Sequence, residues 1–197
     1  MNKKDTTIWL IAGHHRMGIW PKIHKKDTGA IPHYSKNVTF NPPVFNEHHE
    51  CEKMVTQAYG ILKQEGYTVW ACPFTYDLPT KIKWANKVGK SSDLLIEVHM
   101  DSFAETSTGG TVYYLTESDL AKHWAEKMAV TLAMSTGLQN RGAKGDTTNR
   151  HGRLAIVRDT KPLAFLLEMG FISNPEDMRR VREFGAQAIV DTIKSNF

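Results

Sequence analysis

Apolar and polar positions along the chain fall into two kinds of stretch: short continuous apolar runs, and longer segments where apolar residues return every three or four positions. The first run, Thr7 to Ala12, is β-rich and closed by Gly13, which predicts a buried strand ending in a turn with His14 and His15 at its tip. From Arg16 to Phe45 the pattern lapses. This segment is polar, holds Pro21, Pro32, Pro42 and Pro43, and predicts a long irregular excursion of the kind that usually has a function. Asn46 can cap a helix beginning at Glu47, because Met54, Val55, Ala58, Ile61 and Leu62 recur at helical spacing until Gly66. Tyr67 to Ala71 predicts a second strand, Thr80 to Val88 a weaker helix, Asp93 to His99 the clearest strand in the chain, and Thr111 to Leu115 another. Ser118 to Met134 is helical by period. After a loop rich in Gly and Arg, Leu154 to Val157 and Leu163 to Glu168 predict two more strands. Asn174 caps a last helix, with Pro175 at its first position and Asp177 near its N-terminus.

Strands alternating with helices predict an α/β fold: one domain on a twisted, mostly parallel sheet of about six strands, with helices on both faces. A length of 197 residues suits one domain with a sizeable core. The 41% apolar and 23% charged fractions exclude disordered and fibrous classes. A net charge of +4 favours anionic surroundings, but the basic residues are scattered apart from Lys22, Lys25 and Lys26, so no nucleic-acid partner is expected. Cys51 and Cys72 have neither metal-type spacing nor a bridge framework and are expected to be free packing thiols. No apolar stretch approaches the roughly 18 residues that span a bilayer, so no membrane insertion is expected. Ile8 to Ala12 is too short for the core of a signal peptide, which predicts synthesis in the cytoplasm.

The functional crevice of an open α/β sheet lies beyond the carboxyl ends of its strands. Three predicted strands deliver polar residues there: His14, His99 and Glu168. Two histidines and a carboxylate converging on one crevice point to a metal, and zinc in a hydrolase takes three nitrogen or oxygen ligands while keeping a position open. Glu47, in the first turn of its helix, is the candidate third ligand; Glu50, His48 and His49 meet the same geometric requirement. Glu168 sits in the apolar run LAFLLEMGF, where an unpaired charge is costly, so it needs a partner or a raised pKa.

Four motifs, in order, resemble those of the zinc-dependent N-acetylmuramoyl-L-alanine amidases of the Amidase_3 type, found in bacterial autolysins and phage endolysins. AGHH at Ala12 to His15 is similar to the family's AGHG, and NEHHECEKMV at Asn46 to Val55 to the opening of the helix that begins with its ligand glutamate. LLIEVHMDS at Leu94 to Ser102 resembles the S-x-H-x-N segment. LLEMGFISNPED at Leu166 to Asp177 is nearly E-x-G-F-x-S/T-N-x-x-D, the most specific of the four. The resemblance runs from about Ile8 to the C-terminus. It implies one zinc ion per chain on His14, Glu47 and His99, with Glu168 as catalytic carboxylate, and it selects Glu47 over Glu50, which falls a turn too late. The segment NRGAK, Asn140 to Lys144, resembles the family loop ahead of the penultimate strand, making Arg141 and Lys144 candidates to bind carboxylates of a peptide stem. Three positions depart from the pattern: His15 replaces a glycine, Glu97 a serine and Asp101 an asparagine. Glu97 shares a strand face with His99, as an acceptor for its imidazole or as the buried partner of a lysine.

The implied activity is peptidoglycan hydrolysis at the amide between N-acetylmuramic acid and L-alanine, by zinc-activated water. Residues 1–197 are expected to form a single catalytic domain, monomeric and without a separate wall-binding module. The absence of an export segment fits an endolysin made in the cytoplasm and released to the wall for host lysis. A zinc peptidase or carboxypeptidase acting on the stem peptide would use the same ligand set. A non-catalytic wall-binding domain would have no need of Glu168 beside three ligands.

Overall fold

The clearest apolar run becomes the middle of a six-stranded sheet. In the computed structural model, which describes residues 5–14, 46–148 and 152–196, β3 (Leu94–Asp101) lies between β1 (Thr7–Ala12) and β6 (Leu163–Phe171). His15, the Arg16–Phe45 excursion and the run Lys22, Lys25 and Lys26 lie outside the described residues. β2 (Thr68–Ala71) borders β1; beyond β6 come β4 (Gly110–Tyr114) and β5 (Asn140–Gly145). β1, β2, β3 and β6 pair in parallel, β4 meets β6 antiparallel, and β5 is parallel to β4. The mostly parallel α/β sheet expected from the chain's pattern is therefore present. Leu94, Leu95, Ile96 and Val98 are all fully buried, which is why β3 reads as an unbroken apolar run and not an alternating one.

The period of two divides each strand between two helical layers. Ile8, Leu10, Ile96, Val98, Phe165 and Leu167 face a thick layer formed by α1 (Glu47–Gln64), α3 (Asp119–Thr136) and α5 (Pro175–Lys194). Trp9, Ile11, Leu95 and Leu166 face a thinner layer formed by α2 (Leu78–Val88) and α4 (Ala155–Arg158). Trp84 of α2 meets Trp9 edge to face, with ring centroids 4.8 Å apart. Full burial of one such large side chain contributes about 1.5–3 kcal/mol, so the thick layer holds most of the stabilising area.

Helix ends follow the local chemistry. The Asn46 side chain accepts from His49 N at 2.9 Å and starts α1 at Glu47. Asn174 accepts from Glu176 N and Asp177 N, with Pro175 in the first turn of α5. Asp177 is buried and accepts from Thr108 Oγ1, Gly109 N and Phe171 N, tying the approach to β4 to the end of β6.

Two expectations are corrected. Leu154 to Val157 does not form a strand: Ala155–Arg158 is the single helical turn α4, since four apolar residues carry no period that separates a buried turn from a strand. The sixth strand is β5, which contains the segment NRGAK expected as a loop; its side chains are mostly partly or fully exposed because it is the sheet's edge. α4 is held by Arg158, whose guanidinium donates to fully buried Asp146 at 2.9 and 2.8 Å.

Candidate metal centre

Four parallel strands end on one side of the sheet, and residues of the thin layer line only part of the space beyond those ends. A cleft of about 1080 Å³ opens there, with His14, Glu47, His99 and Glu168 in its wall. β1 stops at Ala12, and the chain turns through Gly13 and His14. His14 has a φ of 58°, the left-handed region that a side-chain-bearing residue rarely adopts. Such strain costs on the order of 1–3 kcal/mol and persists where the surroundings over-determine it. Gly13 is required by close approach: a Cβ there would lie 2.5 Å from His99 Cε1. The two imidazoles accordingly come together edge to face, with centroids 4.9 Å apart.

Glu47 enters from the thick layer, at the first residue of α1, where the helix N-terminus favours a negative charge. Its carboxylate is almost fully buried. Oε2 lies 3.1 Å from His14 Nε2, and Oε1 lies 2.8 Å from His99 Nδ1 and accepts from Met100 N at 3.2 Å. Burial alone would raise its pKa, but the hydrogen bonds and charges of His14 and His99 outweigh that and hold it well below the usual carboxylate range. Burial likewise disfavours charge on His99, and Glu97 together with Glu47 overrides it, raising His99 well above its ordinary value. One donor atom from each of His14, Glu47 and His99 lies within 4.8 Å of the others. Two imidazole nitrogens and an ionised carboxylate so disposed can hold a metal ion.

The other candidates from the same helix point elsewhere. Glu50 is buried and receives a two-pronged hydrogen bond from Arg182 of α5, at 3.1 and 2.9 Å. Buried His48 donates from Nδ1 to the Gly13 carbonyl at 2.8 Å and so supports the turn. Through its backbone N–H, His49 takes part in the helix cap.

Glu168 stands beside His99 across the parallel pairing of β3 and β6. Its Oε2 is buried without a hydrogen-bond partner among the described residues. Burial pushes its pKa up to about 8; His99 opposes the shift, while the charges of Glu47, Asp101 and Glu97 add to it. Asp101 also lines the cleft, past an irregularity in the β3–β6 register.

The two alternatives for Glu97 hold together. Oε2 accepts from His99 Nε2 at 3.3 Å, and Oε1 faces Lys81 Nζ at 3.3 Å. Lys81 was not singled out by the sequence. The available signal was its place on α2, four residues before Ala85, where the two form the helix's buried positions. Arg141 and Lys144 both border the cleft, and the Arg141 guanidinium sits 5.0 Å above the Phe171 ring. The antiparallel turnabout at β4 places them there: Thr111, near the start of β4, pairs with Glu168 near the end of β6.

Cys51 and Cys72 are buried free thiols, as expected. Burial raises both, Cys72 to about 12. No helix among the described residues is long and apolar enough to cross a membrane.

Similarity to known proteins covers this same stretch. The Amidase_3 family model, described as N-acetylmuramoyl-L-alanine amidase, matches residues 8–195. A protein of Staphylococcus saprophyticus named "Probable cell wall amidase LytH" is 30% identical over 202 aligned positions, covering 98% of this chain and 59% of that protein. Its namesake in Staphylococcus aureus is 32% identical over 151 positions, covering 74% and 48%. The chain thus spans about three-fifths or less of the length of these curated relatives. Among solved structures, the "Catalytic domain of CD27L endolysin targeting Clostridia Difficile" superposes with a TM-score of 0.70 at 25% identity, covering 96% of this chain and 94% of that one. The catalytic domain of CwlV, an N-acetylmuramoyl-L-alanine amidase from Bacillus (Paenibacillus) polymyxa, has a TM-score of 0.72 at 24% identity and shares the fold, with 97% of each chain covered. With the sheet, the convergent donors and the sequence in agreement from the first strand to the last helix, the chain belongs to the Amidase_3 family of N-acetylmuramoyl-L-alanine amidases.

Proposed function

We propose that this chain hydrolyses the amide bond between N-acetylmuramic acid and the L-alanine of the peptidoglycan stem, with one zinc ion held by His14, Glu47 and His99. The observation that carries this reading is the meeting of those three donors within 4.8 Å, beside a carboxyl group whose buried oxygen has no hydrogen-bond partner among the described residues. The donor set suits zinc, which accepts imidazole nitrogen and carboxylate oxygen together. When bound, zinc supplies Lewis-acid polarisation of the amide carbonyl and acidifies water, and its positive charge favours the ionised form of Glu168.

The protein's own part is proton handling and orientation. Ionised Glu168 accepts a proton as water adds to the amide carbon. It returns that proton to the alanine nitrogen as the C–N bond breaks, leaving an amine on the stem and a carboxylic acid on the sugar's lactyl arm, whose remaining proton then passes to solvent or to the amine. To Arg141 and Lys144, which border the same cleft, we assign the binding of carboxylates of the stem. Glu97 keeps the His99 ring oriented through Nε2. In this reading the protein works as a monomer on the cell wall, the setting named for its relative, a probable cell wall amidase. Similarity to an endolysin catalytic domain supports host lysis as its purpose.

Digestion of purified peptidoglycan, with products identified by mass spectrometry, tests the bond. Intact stems with a free N-terminal alanine are expected; shortened stems still attached to glycan would identify a stem peptidase instead. Glu168→Gln should keep its zinc and lose hydrolysis by about two to four orders of magnitude, the scale for removing a general acid or base. Near-normal stem release by this variant would overturn the role of Glu168, and loss of zinc would make it a ligand.

A further inference from the structure

Lys81 lies on α2 and is only 3% exposed. Its Nζ is 2.7 Å from the carbonyl oxygen of Ala12, 2.6 Å from that of His14 and 3.3 Å from Glu97 Oε1. An ammonium group has three protons to donate, and here three acceptors receive them. The two carbonyls bracket Gly13, so the lysine grips both sides of the turn that holds His14 in its left-handed conformation. The carboxylate it meets gives its other oxygen to His99 Nε2. A single buried cation is therefore joined to the backbone of one donor residue and, through Glu97, to the ring of another.

Packing alone does not account for a charge at this position. Ala85 fills the equivalent site one turn along α2, and the hydrophobic cluster of the thin layer is built from apolar and aromatic side chains. A buried ammonium is retained at a cost that only well-placed acceptors offset. Here all three acceptors belong to the metal centre's supports.

We propose that Lys81 is a positioning residue of the metal centre: it clamps the Ala12–His14 turn and the Glu97 carboxylate, so that the imidazoles of His14 and His99 are set beforehand to share one ion with Glu47. The proposal rests on the metal-centre reading above. It differs from a purely structural role in what it requires of folded molecules. A structural lysine, once removed, lowers stability and leaves the affinity of the folded fraction alone; a positioning lysine lowers that affinity.

Lys81→Met keeps the length and loses the charge. Zinc affinity is read by competition with a chromophoric chelator, folding by circular dichroism, and the ring state of His99 by nitrogen-15 NMR of its imidazole. Outer partners of metal ligands typically change affinity by about 10–100-fold, and a loss of that size is expected in folded Lys81→Met, with an altered His99 Nε2 resonance. Affinity within twofold of the parent protein in folded Lys81→Met overturns the proposal. If that variant does not fold, Lys81→Gln, which can still donate to part of the acceptor set and leaves Glu97 itself unaltered beside His99 Nε2, reads the same linkage; lowered zinc affinity in its folded form supports the clamp and unchanged affinity overturns it. Absence of zinc binding by the unaltered protein would refute the metal-centre reading itself, an outcome distinct from equal binding by parent and variant.

Discussion

On one face of the sheet, α1, α3 and α5 cover Ile8, Leu10, Ile96, Val98, Phe165 and Leu167; on the other, α2 and the single turn of α4 cover Trp9, Ile11, Leu95 and Leu166 and leave a cleft at the strands' carboxyl ends. The same strands serve both. Where the cover is complete, every side chain can be apolar and interchangeable in kind. Where it stops short, the next residues along the same rows are Glu97, His99 and Glu168, and each charge there has to be matched by a neighbour or suppressed by a pKa shift. Most of the buried apolar area thus lies on one face of the lattice and most of the site's charge on the other, with Glu47 of α1 reaching in from the thick layer.

The largest test of that division is Phe165→Ala, which removes one of the biggest fully buried side chains on the thick face. It should cost about 3–5 kcal/mol in denaturant unfolding and leave zinc content per folded molecule unchanged. Zinc lost in step with stability would mean the two faces are not separable. A smaller effect comes from the thin face. Glu168 ordinarily titrates near 4.5 and in the folded protein near 8, so the stability supplied by its protonated form is complete below about pH 4.5 and is lost as pH rises through about 8. Metal-free Glu168→Gln should not suffer that loss, so its melting temperature relative to the parent should climb between those limits. A constant difference across the range would show that Glu168 is not held neutral. The smallest effect expected is none: Cys51 and Cys72, one in each layer's cluster, should fail to react with a thiol reagent until the protein unfolds, and the double serine variant should retain stem release. Rapid labelling of the native protein at neutral pH would contradict their burial.

The thick face and the strand ends were legible because each has a period or a boundary. β1 and the start of α1 fell where the pattern put them, and β3 within one or two residues. His14, His99 and Glu168 were visible as polar residues following apolar runs. Glu47 could not be separated from Glu50 by helix position alone, because the partner that removes Glu50 is Arg182, 132 residues away. β5 was missed because an edge strand is stabilised by pairing with β4 and buries little, so NRGAK carries no hydrophobic signal. α4 was misread because an apolar tetrapeptide has no period. Lys81 was lost among scattered lysines; only the folded turn of Gly13 and His14 gives its charge a destination.

His99 and Glu168 are register partners on adjacent strands. Neighbouring strands in any sheet are spaced about 4.7–4.9 Å apart by their backbone hydrogen bonds. The backbone interval between the proposed metal ligand and the proposed proton carrier is therefore a lattice constant of the polypeptide, independent of loop length. A chain can redraw its rim, its edge strand and its excursions for a new wall chemistry while this ruler stays fixed.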